Sequence, residues 1–235
     1  MEKEDAALLE FYGILLGDGC ISEYISHGRP VYEIRIEGHS ETDYIYFQET
    51  VVPLIKLVFG RTVKIFRRRT FNGIFVRFYF KEQAKYLNEV FNFPFGKKGE
   101  IQIPGWISGD WNFLKHVLRG FFDTDGCIYF TKNNSTIRHY PIIELSTHSS
   151  ALVTQLYEAL SAQGFVVKRS FYGDSIKLHG IQNMLKWFNE IGSSHIDKHS
   201  KVLFWKQNGF CPRIDELPLP KRLKALDMNF SNVGP

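Results

Sequence analysis

Two aspartates, Asp18 and Asp125, each precede a glycine at the end of an apolar segment that occurs twice in the chain. The segments cover residues 11–21 and 118–128 and align when the first is shifted by 107 residues. The aligned aspartate is the only acid that both copies share. A carboxylate that is supplied twice, in equivalent positions, predicts a pseudo-symmetric pair of active sites.

Small residues recur at four-residue spacing in both segments, at Gly13 and Gly17 and at Gly120 and Thr124. Each segment is apolar nearly all round, which is typical of a buried helix. A glycine within a helix costs about 1 kcal/mol relative to alanine, so a compensating gain is expected. Small residues on one face allow two helix backbones to approach closely. We therefore expect the two helices to pack together with the two aspartates side by side.

Paired carboxylates at helix C-termini are electrostatically unfavourable, because they repel each other and face the negative end of each helix dipole. Divalent cations would offset this cost, and hard oxygen ligands favour Mg²⁺ or Ca²⁺. Metals held about 4 Å apart by carboxylates are a common device for phosphodiester hydrolysis. A single Asp-Gly after a helix is usually only a cap and turn, but the duplicated pattern argues for the catalytic interpretation.

The segments FYGILLGDG at residues 11–19 and LRGFFDTDG at residues 118–126 resemble the two motif copies of the LAGLIDADG homing endonucleases, specifically the monomeric two-repeat type. The first copy departs from the pattern at Leu16 and Gly17, and the second departs at Thr124. The resemblance extends over most of residues 5–205. It implies that Asp18 and Asp125 hold metal, with the backbone of Gly17 and of Thr124 beside them.

The predicted fold is α+β, with an αββαββα order written twice as two pseudo-symmetric repeats and the motif helices paired at their interface. We expect a first repeat over residues 1–95, a linker over 96–109, a second repeat over 110–205 and a C-terminal extension over 206–235. The extension has no counterpart in the first half and would be a tail or a strap. Predicted helices cover residues 5–17, 41–59, 81–91, 110–124, 149–162 and 181–191. Predicted strands cover residues 20–26, 31–37, 62–69, 74–80, 127–132, 138–145, 165–172 and 175–179.

Each repeat would supply a four-stranded antiparallel sheet with one polar face left open. In the second strand Tyr32, Ile34 and Ile36 alternate with polar residues, and five of the nine residues from Arg61 to Arg69 are basic. Two such sheets would form a concave saddle that enters the major groove of DNA. Plain solvation is the alternative for these faces. The candidate DNA-binding residues are Arg35, Glu37, Lys64, Arg67, Arg69, Arg77, Tyr79, Lys132, Arg138, Lys168, Arg169, Lys177 and His179.

The resemblance also implies a lysine near each metal site, after the last helix of each repeat. Lys98 and Lys198 are our candidates, with Lys97 and Lys201 as competitors and a plain surface role as the alternative. At the strand ends the family positions correspond to His39 and His148, which would order water or cap the next helix. Many relatives carry glutamine at these positions.

Composition sets broad limits on the function. The chain has 235 residues, a formal net charge of +4 and three cysteines without a C-x-x-C pair, so no zinc site or disulfide framework is indicated. No apolar run approaches the length of a membrane span, and the acidic start is unlike a signal peptide. We therefore expect an intracellular, cytoplasmic protein, with an organelle as the other possibility, and no membrane partner.

We therefore predict a monomeric, Mg²⁺-dependent endonuclease, with Ca²⁺ or Mn²⁺ as possible substitutes, that binds a long, quasi-symmetric site in double-stranded DNA. The resemblance implies staggered cuts with 3′ overhangs. We expect an intron-encoded protein rather than an intein, because the chain begins at Met and has no room for splicing modules. The main alternative is a catalytically silent RNA maturase or regulator, with intron RNA as its partner. A structural α/β repeat protein is the third interpretation, which the basic saddle and the paired acids disfavour.

Overall fold

The computed structural model describes residues 3–68 and 72–228 of the chain. In the first half, α1 is Lys3–Asp18, β1 Gly19–Ser26, β2 Arg29–His39, α2 Tyr44–Tyr46, α3 Val52–Phe59, β3 Phe66–Arg67, β4 Gly73–Tyr79 and α4 Lys81–Phe91. A π-helical segment, Phe47–Val51, joins α2 to α3 without a break. A short helix, α5 (Gly105–Ser108), lies between the halves.

The second half repeats this order. Helix α6 is Trp111–Asp125, β5 Gly126–Thr131, β6 Tyr140–Ser146, α7 Ser150–Ala162, β7 Val167–Arg169, β8 Ser175–His179 and α8 Ile181–Glu190. Two further helices follow, α9 (Ile196–Asn208) and α10 (Leu219–Ala225). Among the described residues, no helix has the length and apolar character that a membrane crossing requires.

Each half forms a four-stranded antiparallel sheet, in the order β1-β2-β4-β3 and β5-β6-β8-β7. Tyr32, Ile34 and Ile36 of β2 are buried against the helices, as the alternating pattern predicts. The predicted fold, two αββαββα repeats with two antiparallel sheets, is confirmed.

The prediction of long edge strands is wrong. Within the described residues, β3 covers only Phe66–Arg67 and β7 only Val167–Arg169, where strands over 62–69 and 165–172 were expected. In the second repeat the chain turns at residues 170–174, with Ser170 N donating to Ser175 O at 2.9 Å and Gly173 in a left-handed conformation (φ 73°). In these polar, basic segments apolar and polar residues alternate too weakly for the sequence to show where strand pairing stops.

The two motif helices, α1 and α6, pack backbone to backbone through their glycines. A β-carbon built on Gly13 would lie 2.9 Å from the Phe121 amide nitrogen, and one built on Gly120 would lie 2.8 Å from that of Ile14. Real β-carbons essentially never approach atoms this closely. The close contact between α1 and α6 that the four-residue spacing predicts is therefore present, and it needs glycine at both positions. We call this contact the helix seam.

We expect Gly13→Leu and Gly120→Leu each to destabilise the protein, because a larger side chain must separate two backbones that touch. Overpacking typically costs about 1–3 kcal/mol, and for a chain of this size each kcal/mol corresponds to a melting-temperature loss of about 2–4 °C. Leu9→Met, a change of similar volume on the same helix, is the control and should have a smaller effect. An unchanged melting temperature in both glycine variants would contradict packing through these residues.

Candidate active site

Asp18 and Asp125 are the last residues of α1 and α6, and the helix seam brings both to the same end of the interface. Each helix passes directly into a strand. Gly126 has an extended conformation (φ −99°, ψ 160°) rather than the left-handed conformation of a usual helix cap. A β-carbon there would lie 2.7 Å from the Phe122 α-carbon, so the glycine permits a tight reversal from helix to strand.

A cleft of about 700 Å³ opens at this end of the interface and is lined by both repeats. The first repeat and the linker contribute Leu16, Gly17, Lys97, Lys98, Gly99, Glu100 and Ile101, and the second repeat contributes Asp125, Ser146, Thr147, His148, Ser149 and Asp174. Lys98 and Asp125 therefore share one cavity although they belong to different halves of the molecule.

Both aspartates are costly to ionise where they lie. Burial, followed by the negative charges of Asp125 and Asp43, raises the pKa of Asp18 to about 7, against an opposing effect of Lys98 and Lys198. Burial also raises the pKa of Asp125, which the two lysines lower. The raised pKa values agree with the expectation that paired carboxylates at two helix ends are electrostatically unfavourable.

Lys98 provides one such cation. Its Nζ donates to the carbonyl oxygens of Leu16 at 2.8 Å and of Gly17, at the C-terminal end of α1. The half-buried ammonium group therefore neutralises the negative end of this helix dipole. The Gly17 backbone, the predicted metal neighbour, accepts a hydrogen bond from Lys98 through its carbonyl oxygen.

Lys198 occupies the equivalent position at the end of α6. Its Nζ donates to the carbonyl oxygens of Phe122 and, at 2.7 Å, of Gly126, and its side chain is buried. Burial lowers the pKa of Lys198, which the negative charge of Asp123 opposes. The geometry favours Lys98 and Lys198 over their competitors, because Lys97 is exposed and Lys201 pairs with Asp197 at 2.7 Å.

The two histidines differ in their surroundings. His148 lines the cleft, and its charge lowers the pKa of Asp125. His39 instead organises its own loop, since its amide donates to Asp43 Oδ2 at 2.7 Å and its Nδ1 accepts from the Glu41 amide at 3.4 Å. Thr124, whose backbone is the other predicted neighbour of the metal, donates from its side-chain Oγ1 to the Gly120 carbonyl oxygen at 3.0 Å.

A buried polar network between the repeats was missed at the sequence level. Asp123 accepts hydrogen bonds from Ser193 Oγ and, at 2.7 Å, from the Ser194 amide, while Ser194 Oγ donates to Glu10 at 2.6 Å. Arg119 contacts the same glutamate at 3.4 Å. Asp123 has no acidic partner in the first motif, which hid its importance. Asp123 lies three residues after Gly120, which places it near the helix seam. This spacing was the one indication of its burial that the sequence offered.

The outward face of the first sheet carries four predicted DNA-binding residues. Arg35 and Arg77 are directly opposite in register, and Tyr79 and Glu37 extend the same face. The Arg77 guanidinium lies over the rings of Phe66, Phe75 and Tyr79 at 5.5–6.0 Å.

Glutamates hold these arginines in place. Glu33, only 5% exposed, accepts from Arg35 Nε at 2.8 Å and lies 3.9 Å from Arg77. Glu37 pairs with Arg68, a residue that was not among the candidates. The face therefore combines arginines and aromatic rings with glutamates that pair with the arginines.

The second sheet presents Lys168, Lys177 and His179 on its outward face, since Lys177 pairs in register with both Glu144 and Lys168. Lys177 lies 3.2 Å from Glu144, which also accepts from Ser175 Oγ at 2.9 Å. Lys132 and Arg138 lie outside the strands, in the loop that joins β5 to β6.

The expected orientation is wrong for Arg67 and Arg169. Each pairs in register with a core isoleucine, Ile74 or Ile176, and therefore points to the helix side of its sheet. Their guanidinium groups lie over the rings of Tyr44 (5.5 Å) and Tyr157 (4.6 Å) respectively. Lys64 is exposed before β3 in a segment without strand structure, and Arg69 lies outside the described residues.

Residues 112–171 match the family described as the LAGLIDADG-like domain. A mesophilic variant of the homing endonuclease I-DmoI superposes with a TM-score of 0.58 at 14% identity, over 81% of this chain and 97% of that chain. The chain has the LAGLIDADG homing-endonuclease fold. I-LtrWI bound to its target DNA superposes with a TM-score of 0.58 at 12% identity, over 88% of this chain and 90% of that chain.

A variant of I-SmaMI gives a TM-score of 0.56 at 13% identity, over 93% of this chain and 96% of that chain. Other structures of I-DmoI contain DNA with Ca or with Mn. No curated protein matches the chain by sequence.

Asp18 and Asp125 fit a divalent cation in their chemistry. They supply hard oxygen ligands, and burial makes their ionised form unfavourable unless positive charge is added. Within residues 3–68 and 72–228 no cluster of three or more His, Cys, Asp or Glu side chains could hold a metal. A cation held by these two carboxylates would need further ligands such as water, several of which Mg²⁺ usually keeps.

The raised pKa of Asp18 predicts a pH-dependent cost in the metal-free protein. Between pH 4 and 7 the folded state keeps a proton that the unfolded state has released, so stability falls as the pH rises through this window. We expect Asp18→Asn to be more stable than wild type at pH 8, by at most about 4 kcal/mol, and similar to wild type at pH 4. Chemical denaturation in EDTA measures this difference. Equal pH profiles for both proteins would contradict it.

Proposed function

We propose that this protein is a sequence-specific, divalent-metal-dependent endonuclease that cuts both strands of double-stranded DNA. The observation that carries the proposal is the arrangement of the two motif-helix aspartates between two sheets with basic outward faces. A buried or half-buried lysine binds the end of each motif helix. A LAGLIDADG-like domain match over residues 112–171 supports it.

Each side chain has a separate task in this proposal. Asp18 and Asp125 would hold the metal ions, which when bound would activate water and stabilise the charge on the phosphate. Lys98 and Lys198 would favour the ionised form of the carboxylates and fix the helix ends, and His148, which lines the cleft, would order water. The arginines and lysines of the sheets would position the duplex through its phosphates and base edges.

The proposal includes a monomer with a long, quasi-symmetric target, since each half of one chain supplies one aspartate and one sheet. It also includes an intron-encoded, intracellular protein that uses Mg²⁺, with Ca²⁺ or Mn²⁺ as substitutes. The test is selection of cleaved duplexes from a randomised library by wild-type protein in Mg²⁺. Tight binding to DNA or intron RNA without cleavage would favour the maturase or regulator.

We expect Asp18→Asn and Asp125→Asn each to abolish double-strand cleavage while DNA affinity stays within about tenfold. The reason is that both carboxylates lie at the helix ends rather than on the sheet faces. Asp215→Asn, which changes an exposed carboxylate in the C-terminal segment, is the control and should cut normally. Cleavage of both strands at the wild-type rate by either motif variant would refute the assignment of these aspartates.

The sheet faces predict a specific salt dependence. Each phosphate contact adds about −0.9 to the slope of log K against log salt concentration. Arg77→Ala should make the slope less steep by about one such unit, whereas Arg67→Ala, an arginine on the helix side of the same sheet, should leave it unchanged. Fluorescence anisotropy with the selected duplex measures both slopes. Equal effects of the two variants would show that the outward face is not the DNA surface.

A further inference from the structure

The two lysines at the motif-helix ends are carried by different kinds of structure. Lys98 lies in the segment between α4 and α5, flanked by Gly96 (φ 83°) and Gly99 (φ 55°). Lys198 lies in the first turn of α9, a helix of 13 residues. The position of Lys198 is therefore set by whatever holds the start of α9.

Arg222 of α10 makes the main polar contacts with that first turn. The side chain is 0% exposed, and its Nη2 donates to Asp197 Oδ1 and, at 3.3 Å, to the Asp197 carbonyl oxygen. Its Nε donates to Ser200 Oγ at 3.0 Å, and its Nη1 donates to the Leu217 carbonyl oxygen at 3.1 Å. One guanidinium group thus joins α9 on both sides of Lys198 to the segment before α10.

Apolar packing holds α10 against the same turn. Leu219 and Leu223 are buried in a small cluster with Ile196, the first residue of α9, and Ile45 of the first repeat packs against it. This cluster is separate from the main core. The segment 209–228 is therefore attached near the start of α9.

We infer that the C-terminal segment 209–228 is a positioning element for Lys198, and that Arg222 is its principal residue. Lys198 reaches the carbonyl oxygens of Phe122 and Gly126 only while the first turn of α9 is held in register with the end of α6. Removing the guanidinium group would let this turn shift without altering Lys98.

A consequence for cleavage rests on the proposed function. The two lysines serve the ends of different motif helices, so loosening only Lys198 should impair the two aspartate sites unequally. The expected outcome is a nicking enzyme that cuts one strand of the duplex faster than the other. General destabilisation would slow both strands alike.

The position of Lys198 can be measured without DNA. Pulsed reductive dimethylation followed by peptide mass spectrometry reports the reactivity of each lysine in the folded, full-length chain. We expect Arg222→Met to raise the labelling rate of Lys198 at least fivefold, with Lys98 within twofold of wild type. Arg222→Lys, which keeps a cation against Asp197, should retain most of the protection. Arg213→Gln, an exposed arginine of the same segment, should change neither rate.

Two smaller substitutions test the same contacts in case Arg222→Met misfolds. Ser200→Ala removes one acceptor of Arg222, and Leu223→Ala loosens the apolar cluster; both should raise labelling of Lys198 selectively. Unchanged Lys198 labelling in Arg222→Met, or an equal rise at Lys98 and Lys198 in every variant, would overturn the inference.

Cleavage of the selected duplex, with a different dye on each strand, supplies the second readout. Arg222→Met should accumulate nicked product at least fivefold over wild type, with the nick on one strand. Equal slowing of both strands would overturn the strand asymmetry. If wild-type protein cuts no duplex, the proposed function fails, whereas the labelling result still decides whether segment 209–228 positions Lys198.

Discussion

The contact between two helix backbones at Gly13 and Gly120 is the constraint on which the rest of the molecule depends. Because no side chain separates α1 from α6, both helices can end at the same place, and their terminal carboxylates become neighbours. Each helix then leads directly into the first strand of its own sheet. The seam therefore fixes the position of the site and the placement of both sheets around it.

That geometry creates an electrostatic problem that the surrounding structure only partly relieves. Lys98 and Lys198 lower the pKa values of Asp18 and Asp125, yet both aspartates remain above their ordinary range because they are buried. A structure selected for stability alone would not place two acids at the negative ends of two helices. The remaining deficit of positive charge is what a bound cation would offset under the proposed function.

Sequence reasoning succeeded where a periodic pattern had one physical interpretation. The motif helices, the helix Lys81–Phe91 and the alternation in β2 could be predicted because apolar residues recur with a clear period. It failed at Arg67 and Arg169. Their sequence neighbours are mostly polar, so no alternating apolar residue indicated which face of the strand each arginine occupies. The strand register shows the orientation of both side chains, since each arginine pairs with a core isoleucine and lies over the ring of a tyrosine in the helix layer.

The site itself was predictable in its duplicated parts and hidden in its unique ones. Asp18 and Asp125 recur in both halves, so the repeat identified them, and the family resemblance suggested the two lysines. Asp123 and Arg222 have no equivalent in the first half, and their importance depends on burial that only the folded chain shows. A duplicated scaffold supplies two similar sites, and unique residues such as these are the means by which one site can be held differently from the other. Asymmetry in a two-repeat protein is therefore best sought where the repeats stop matching.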